Sequence, residues 1–234
     1  ANELPIGGQV QAGQANISQS GNQLRVTQSS DRAVIDWQSF DVGSDAQVHF
    51  DQPSVSSATL NRVLSSNPTQ VMGRITAPGQ VFLVNPNGVL FGPNSQVDVG
   101  GLAASTLDID NADFMSGDLR FHSGAGSGSI TSQGQIETTL GGFVALLAPE
   151  VINEGLILAP YGRVAMAAGE RIEIDLDGQE RWVQVEPALV DTLIENRHAI
   201  EVNAGRILLS SRAVNELARG VIRQSGSLTA NSMV

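Results

Sequence analysis

Gly142-Phe143-Val144-Ala145-Leu146 is restated twenty residues later as Gly162-Arg163-Val164-Ala165-Met166, and this pair decides the fold. Ala148 matches Ala168 at the same offset, and Gly134-Gln135-Ile136 returns as Gly155-Leu156-Ile157, an offset of 21. Gly205-Arg206-Ile207-Leu208-Leu209 restates the second phrase again. Val214-Asn215-Glu216 followed by Gly220-Val221-Ile222 echoes Val151-Ile152-Asn153-Glu154-Gly155-Leu156-Ile157. A repeat of about 20 residues is one turn of a solenoid. Each turn holds two or three short strands, stacked at ~4.8 Å on the turn below, so roughly ten turns predict a rod about 50 Å long. Ala145, Ala148, Ala165, Ala167 and Ala168 read as small inward residues of a narrow interior. The repeat degenerates before about residue 120, which predicts a capped or decorated N-terminal half. The fold class is all-β, a parallel β-helix.

Outward from the repeat, 25 glycines punctuate short alternating runs. Gln23-Leu24-Arg25-Val26-Thr27, Ala33-Val34-Ile35-Asp36-Trp37, Gln47-Val48-His49-Phe50, Gln80-Val81-Phe82-Leu83-Val84 and Gln96-Val97-Asp98-Val99 read as strands. Three pieces read as helices. Residues 56–64 offer serine caps, with Leu60, Val63 and Leu64 on one face. Residues 187–194 begin at Pro187, a favoured first-turn position, and residues 211–219 form a third short piece. Ile172 to Gln179 reads as a hairpin that projects from the rod, because Asp177-Gly178 suits a tight turn.

Composition excludes several functions. All thirteen basic residues are Arg and the net charge is −11, which opposes binding to phosphate backbones and argues against nucleic acid as a partner. The absence of cysteine removes disulfides, thiolate metal sites and thiol nucleophiles. No apolar run approaches the ~20 residues of a membrane-spanning helix. The chain starts at Ala1-Asn2-Glu3 with no basic-then-apolar leader, so either it is cytoplasmic or a signal peptide has been removed. It stops at Ala230-Asn231-Ser232-Met233-Val234 with no closing cap, the expectation for a fragment of a longer protein.

The most specific stretch runs from Gly73 to Leu107. It contains Gly79-Gln80-Val81-Phe82-Leu83-Val84-Asn85-Pro86-Asn87-Gly88-Val89-Leu90-Phe91-Gly92 and Gly100-Gly101-Leu102-Ala103-Ala104-Ser105-Thr106. This stretch resembles the secretion domain of the two-partner secretion (TPS) family, the N-terminal region of filamentous-haemagglutinin-like exoproteins. Phe40-Asp41-Val42-Gly43, Phe50-Asp51-Gln52-Pro53 and Leu60-Asn61-Arg62-Val63 are similar to that family in the expected order. One departure stands out. Relatives carry Asn-Pro-Asn-Leu upstream, whereas Asn67-Pro68-Thr69-Gln70 keeps only Asn-Pro. If the full motif touches the transporter, this version binds more weakly; a structural motif survives the change, since Asn-Pro still starts a turn.

The resemblance implies one secretion domain over residues 1–234: a right-handed β-helix with a cap over about 1–50 and turns over about 51–234. It implies export by the general secretory route and recognition by the periplasmic POTRA domains of an outer-membrane TpsB transporter. Folding then takes place at the cell surface of a Gram-negative bacterium, as a monomer and without a cofactor. The recognition segments it singles out are Asn67 and Pro68; Asn85, Pro86, Asn87 and Gly88; and Gly100, Gly101, Leu102, Ser105 and Thr106. The parent protein is expected to be an adhesin that reaches host-cell or matrix glycans. The alternatives are a domain that itself binds glycan or host protein, a cytolysin, or a haem-acquisition protein.

Each motif also has a plainer reading. Asn85-Pro86-Asn87-Gly88 is a β-turn, with Pro fixing φ and Asn and Gly accepting positive φ. Glu173, Asp175, Asp177 and Gly178 imitate half of a calcium loop, but Ile174 and Leu176 alternate as in a strand and the twelfth position is Gln184. Gly124-Ala125-Gly126-Ser127-Gly128-Ser129 lacks the third glycine of a dinucleotide loop and the Lys of a P-loop. Asp108, Asp110, Asp113 and Asp118 read as a solvated loop, and His49, His122 and His198 lack ligand spacing. With no clustered acids and base, the expectation is a protein that is not an enzyme.

Overall fold

In the computed structural model, which describes residues 1–234 except 125, 179–180, 189–190, 214–218 and 231–234, the repeat is a register. Gln135 lies beside Leu156 and Ile136 beside Ile157 in parallel pairing; Phe143 lies beside Arg163 and Leu146 beside Met166. The offsets of 21 and 20 are therefore the lengths of uninterrupted turns. The glycine opening each phrase has a steric cause: a Cβ on Gly162 would meet the Gly142 carbonyl oxygen at 2.0 Å, and one on Gly205 the Gly162 oxygen at 2.0 Å.

Three faces make up the coil. On face 1, Gln23–Gln28, Gln47–Asp51, Arg74–Thr76, residues 96–99 and 135–138, Leu156–Leu158, Ala199–Glu201 and Ser227–Thr229 stack in parallel. Face 2 stacks Arg32–Trp37, Ala58–Val63, Gln80–Val84, residues 101–105 and 143–147, Arg163–Ala168 and Arg206–Ser211. Face 3 stacks Thr69–Val71, Val89–Phe91, Ser129–Ser132, Glu150–Asn153, Thr192–Asn196 and Gly220–Gln224. The N-terminal end is closed by antiparallel strands, Ala15–Ser20 on the first rung of face 1 and Gln9–Ala12 on the first of face 2. The outermost strand, Ala15–Ser20, is polar and short, a protected edge.

Like residues stack inside. Leu24, Val48, Ile75, Val97, Ile136, Ile157 and Ile200 are successive register neighbours on face 1, all buried. Burying each such side chain contributes about 1.5–3 kcal/mol.

The coil is shorter than ten turns. Face 1 has eight rungs among the described residues, a rise of about 34 Å at ~4.8 Å each. Two excursions use up the missing length, one between Ser105 and Ser129 and one between Ala168 and Thr192. They meet in an antiparallel sheet of Asp108–Ile109, Leu119–His122, Arg171–Ile174 and Val183–Glu186. The first excursion also contains a helix, Asn111–Ser116, ended by Gly117 at φ 87°.

This sheet covers the outside of face 2. Phe82 anchors a second core there, its ring centroid 5.2 Å from Phe114, 6.1 Å from Phe143 and 6.5 Å from Phe121. The hairpin read at residues 172–179 thus lies flat on the coil, with Ile172, Ile174 and Trp182 buried in that core, and does not project. Of the small residues assigned to the interior, only Ala148 and Ala168 face it. Ala145, Ala165 and Ala167 point outward into the second core.

Two of the three helix readings are strands where the structure describes them. Ala58–Val63 is a strand buried on both sides: Ala58 and Leu60 face the second core and Val63 the interior. Its other inward positions are polar and satisfied. Thr59 Oγ1 donates to Gln28 Oε1 at 2.5 Å and accepts from Gln52 Nε2 at 3.0 Å, and Asn61 Oδ1 accepts from Trp37 Nε1 at 3.0 Å. This hid the two-residue alternation. Thr192–Asn196 is also a strand, while residues 189–190 of that piece and 214–218 of the third lie outside the described residues. Gly220-Val221-Ile222 stacks on face 3 over Thr192–Ile194, not on face 1 where Gly155-Leu156-Ile157 lies. Its Val214-Asn215-Glu216 companion is outside the described residues.

Candidate functional site

Asn85 ends a face 2 strand and turns the chain onto face 3. It is fully buried. Its Nδ2 donates to the Asn67 carbonyl oxygen and to Thr69 Oγ1, both at 3.0 Å, and its Oδ1 accepts the Asn87 amide at 3.0 Å. Gly88 closes the turn by donating to the Asn85 oxygen at 3.0 Å, with φ 115° that disfavours any side chain. Asn87 Nδ2 reaches down to the Ser65 oxygen at 2.8 Å. From the next turn, Gly128 donates to the Pro86 oxygen at 3.0 Å.

The motif is thus a corner that staples three consecutive turns. It uses the backbone of Asn67 and the hydroxyl of Thr69, which explains how Asn67-Pro68-Thr69-Gln70 keeps the architecture without a second Asn. The Gln70 amide is held in turn by Asp41 Oδ1 at 2.8 Å.

Gly100 to Thr106 is wholly buried, between the interior of the coil and the second core. A Cβ on Gly101 would meet the Phe143 ring at 2.4 Å, Leu102 packs in the inner core, and the Ser105 carbonyl accepts the Asn85 amide at 3.0 Å. Thr106 Oγ1 is buried with no partner among the described residues. The structure therefore joins Asn67, Pro68 and Asn85 to Gly88 in one corner, ties Ser105 to it through one backbone bond, and leaves Asn67, Pro68 and Asn87 exposed.

Two neighbouring staples were not recognised as such in the sequence. Gln52, buried at the face 1–face 2 corner, accepts the Gly79 amide at 2.8 Å and donates to the Gln80 oxygen at 2.9 Å. Arg62 fastens the covering sheet: its guanidinium meets Asp108 at 3.0 Å, Asp36 at 3.2 Å and Asn111 Oδ1 at 2.7 Å. Asp108, read as part of a solvated loop, is therefore an anchor. The signal was Arg62, the one charged residue in the strand Ala58–Val63. At residues 175–178 the geometry is a turn, with Asp175 Oδ1 accepting the Asp177 and Gly178 amides at 3.0 and 3.1 Å, while Glu173 lies in the strand Arg171–Ile174.

A family model described as the TPS secretion domain matches residues 1–233. The chain belongs to the TPS secretion domain family. A heme/hemopexin-binding protein of Haemophilus influenzae is 33% identical over 223 residues, covering 92% of this chain and 24% of its own length. A second H. influenzae protein of that name is 38% identical over 102 residues, 44% of this chain and 11% of its own. The chain therefore spans about a quarter or less of the length of these relatives.

Among solved structures, the HMW1 secretion domain from H. influenzae has a TM-score of 0.85 at 29% identity, covering 96% of this chain and 58% of that one. The filamentous hemagglutinin secretion domain, with a TM-score of 0.56 at 15% identity over 97% of this chain and 99% of that one, shares the fold. As a TPS secretion domain, the chain is the secretion module of an exoprotein that is secreted or displayed by a Gram-negative cell, recognised by an outer-membrane TpsB transporter.

Proposed function

We propose that periplasmic POTRA domains of the transporter read the segments 67–68, 85–88 and 100–106 in the unfolded chain. The observation that carries this reading is burial. Asn85 and every motif residue from Gly100 to Thr106 are buried in the folded domain, so the three segments are available together only before folding. Folding then turns the same residues into corner staples. A solenoid grows by adding turns to a formed edge, so each emerging turn opposes return of the chain.

The domain itself is non-catalytic in this reading, the Asn85 and Asn87 side chains being engaged in corner hydrogen bonds. For the parent protein we propose that binding of its main ligand lies outside residues 1–234. The name shared by the two curated relatives favours haem or its carrier as the ligand, with an adhesive parent the second reading. Capture of the full-length protein on haem-loaded carrier tests that part.

Pull-down on isolated POTRA domains tests the secretion reading. Chain freshly diluted from urea should bind and folded chain should not. Equal binding of the folded chain, or unchanged binding and export when Asn85 and Asn87 are both replaced by Ala, would sink it.

A further inference from the structure

A groove runs along the opposite corner of the coil, where face 3 turns into face 1. Glycines hold parts of its floor because successive turns touch there: a Cβ on Gly155 would meet the Gly134 oxygen at 2.1 Å, and one on Gly73 the Gly43 oxygen at 2.1 Å, while Ala46, Ser95 and His198 occupy the intervening positions. Two adjoining cavities of about 390 and 520 Å³ share Asn94 and Gln96 and extend it along the rod.

One wall is the first outward position of each face 1 rung. Gln23, Gln47, Arg74, Gln96, Gln135 and Leu156 follow one another in register. Asn94 and Gln133 stand across from them. The side chains of Gln23, Asn94, Gln96 and Gln133 make no hydrogen bond among the described residues. Of the nearby acids, Asp45 is paired with the N-terminal amine at 2.8 Å and Glu154 with Arg197 at 3.5 Å, while Glu137 accepts the Gln135 side-chain amide at 3.3 Å.

We propose that this groove binds a neutral, linear oligosaccharide laid along the rod axis, about one sugar to a rung. A side-chain amide both donates and accepts, which matches neighbouring hydroxyls of a sugar ring. The amides stand in two adjacent pairs, Gln23 with Gln47 and Gln96 with Gln135, on either side of Arg74, and within each pair they are separated by the rung spacing of ~4.8 Å, close to the repeat of an extended pyranose chain. An extended peptide fits less well, since the face 1 backbone is already paired rung to rung and offers it no edge. The net charge of −11 disfavours sulfated or acidic glycans. The groove has no aromatic platform, so binding is weak, with a dissociation constant on the order of 1 mM.

The test is a titration of the 15N-labelled chain with cellohexaose, maltohexaose and chitohexaose to about 10 mM, ten times that constant, with a heparin hexasaccharide in parallel. At least one neutral hexasaccharide should shift the side-chain amide signals of Gln23, Gln96, Gln133 and Gln135. The double variant Gln96→Ala, Gln135→Ala should lose about tenfold in affinity with its melting temperature unchanged. Three outcomes would overturn the proposal: no shift with any neutral hexasaccharide, stronger binding of the heparin fragment, or equal binding of the corresponding disaccharide, which a rung-matched groove does not allow.

Discussion

Faces 1 and 2 of the coil are built on the same rung spacing from strands of similar length, yet they solve different burial problems. Face 1 has water on its outer side, so its rungs alternate: Gln47, His49 and Asp51 point out, Val48 and Phe50 in. Face 2 is covered on both sides, and its rungs read as near-continuous apolar runs such as Val81-Phe82-Leu83-Val84 and Val144-Ala145-Leu146-Leu147. A strand loses its two-residue signature once a second layer buries its other face. The difference shows where the coil itself ends and where later-arriving chain closes over it.

The largest expected effects break this contrast directly. Phe82→Ala should cost about 3–5 kcal/mol, because it empties the centre of the second core. Its damage should be local. Amide exchange should speed up in Leu119–His122 and Arg171–Ile174, the strands laid over Phe82, while the face 1 rungs stay protected. Ile157→Ala, in the inner stack, should cost about 2–5 kcal/mol. It should weaken the turns on either side of its own rung without first releasing the covering sheet. If both variants gave the same exchange pattern, the two cores would be one cooperative unit.

How much could be read beforehand follows the same line. The phrases at Gly142 and Gly162 were legible because that turn is uninterrupted and backbone contact at the corner demands glycine at each repeat. The strand at Ala58–Val63 was not, because Thr59 and Asn61 point inward to partners brought by Gln28, Gln52 and Trp37, far away in sequence. Sequence spacing alone offered Leu60, Val63 and Leu64 as a helical stripe. The covering sheet was half hidden: Leu119–His122 and Arg171–Ile174 each have a local partner, Asp108–Ile109 and Val183–Glu186, but the pairing that joins the two excursions spans about 50 residues. At the Asn85 corner the turn chemistry was plain in the residues, but the reach of its amide to Asn67 and Thr69 depends on stacking.

Face 3 lies between these cases, and its weak point is polar. Ser132, Asn153 and Asn196 are register neighbours, all fully buried. Asn153 Nδ2 donates to Asn196 Oδ1 at 2.9 Å and to the Gly155 oxygen at 3.1 Å, while Asn153 Oδ1 accepts the Gly155 amide at 3.2 Å. Asn153→Ala strands the Asn196 oxygen and the Gly155 amide without partners and should cost about 1–3 kcal/mol in urea unfolding. A cost below about 0.5 kcal/mol, the low end for a single hydrogen bond, would mean that water enters the corner and replaces the ladder.

The smallest expected effect belongs to the wet side of face 1. His49 stands directly beside Arg25 on the rung below and Thr76 on the rung above, its Nδ1 2.6 Å from Thr76 Oγ1, with Asp51 two residues along. Partial burial, then the Arg25 charge, hold its imidazole below the ordinary value, against an opposing pull from Asp51. A lowered value means the unfolded chain takes up the proton first as pH falls. The contribution of His49 to stability is therefore complete above about pH 6.5 and is lost progressively below it. His49→Gln keeps the outward amide character of the neighbouring rungs and removes the titration, so its melting temperature should fall less than that of the wild type between pH 7 and pH 5. Parallel curves would mean that solvent screens His49 on this open face. A flatter curve for the variant would show that even the uncovered side of the coil packs its side chains closely enough, rung on rung, to shift a proton.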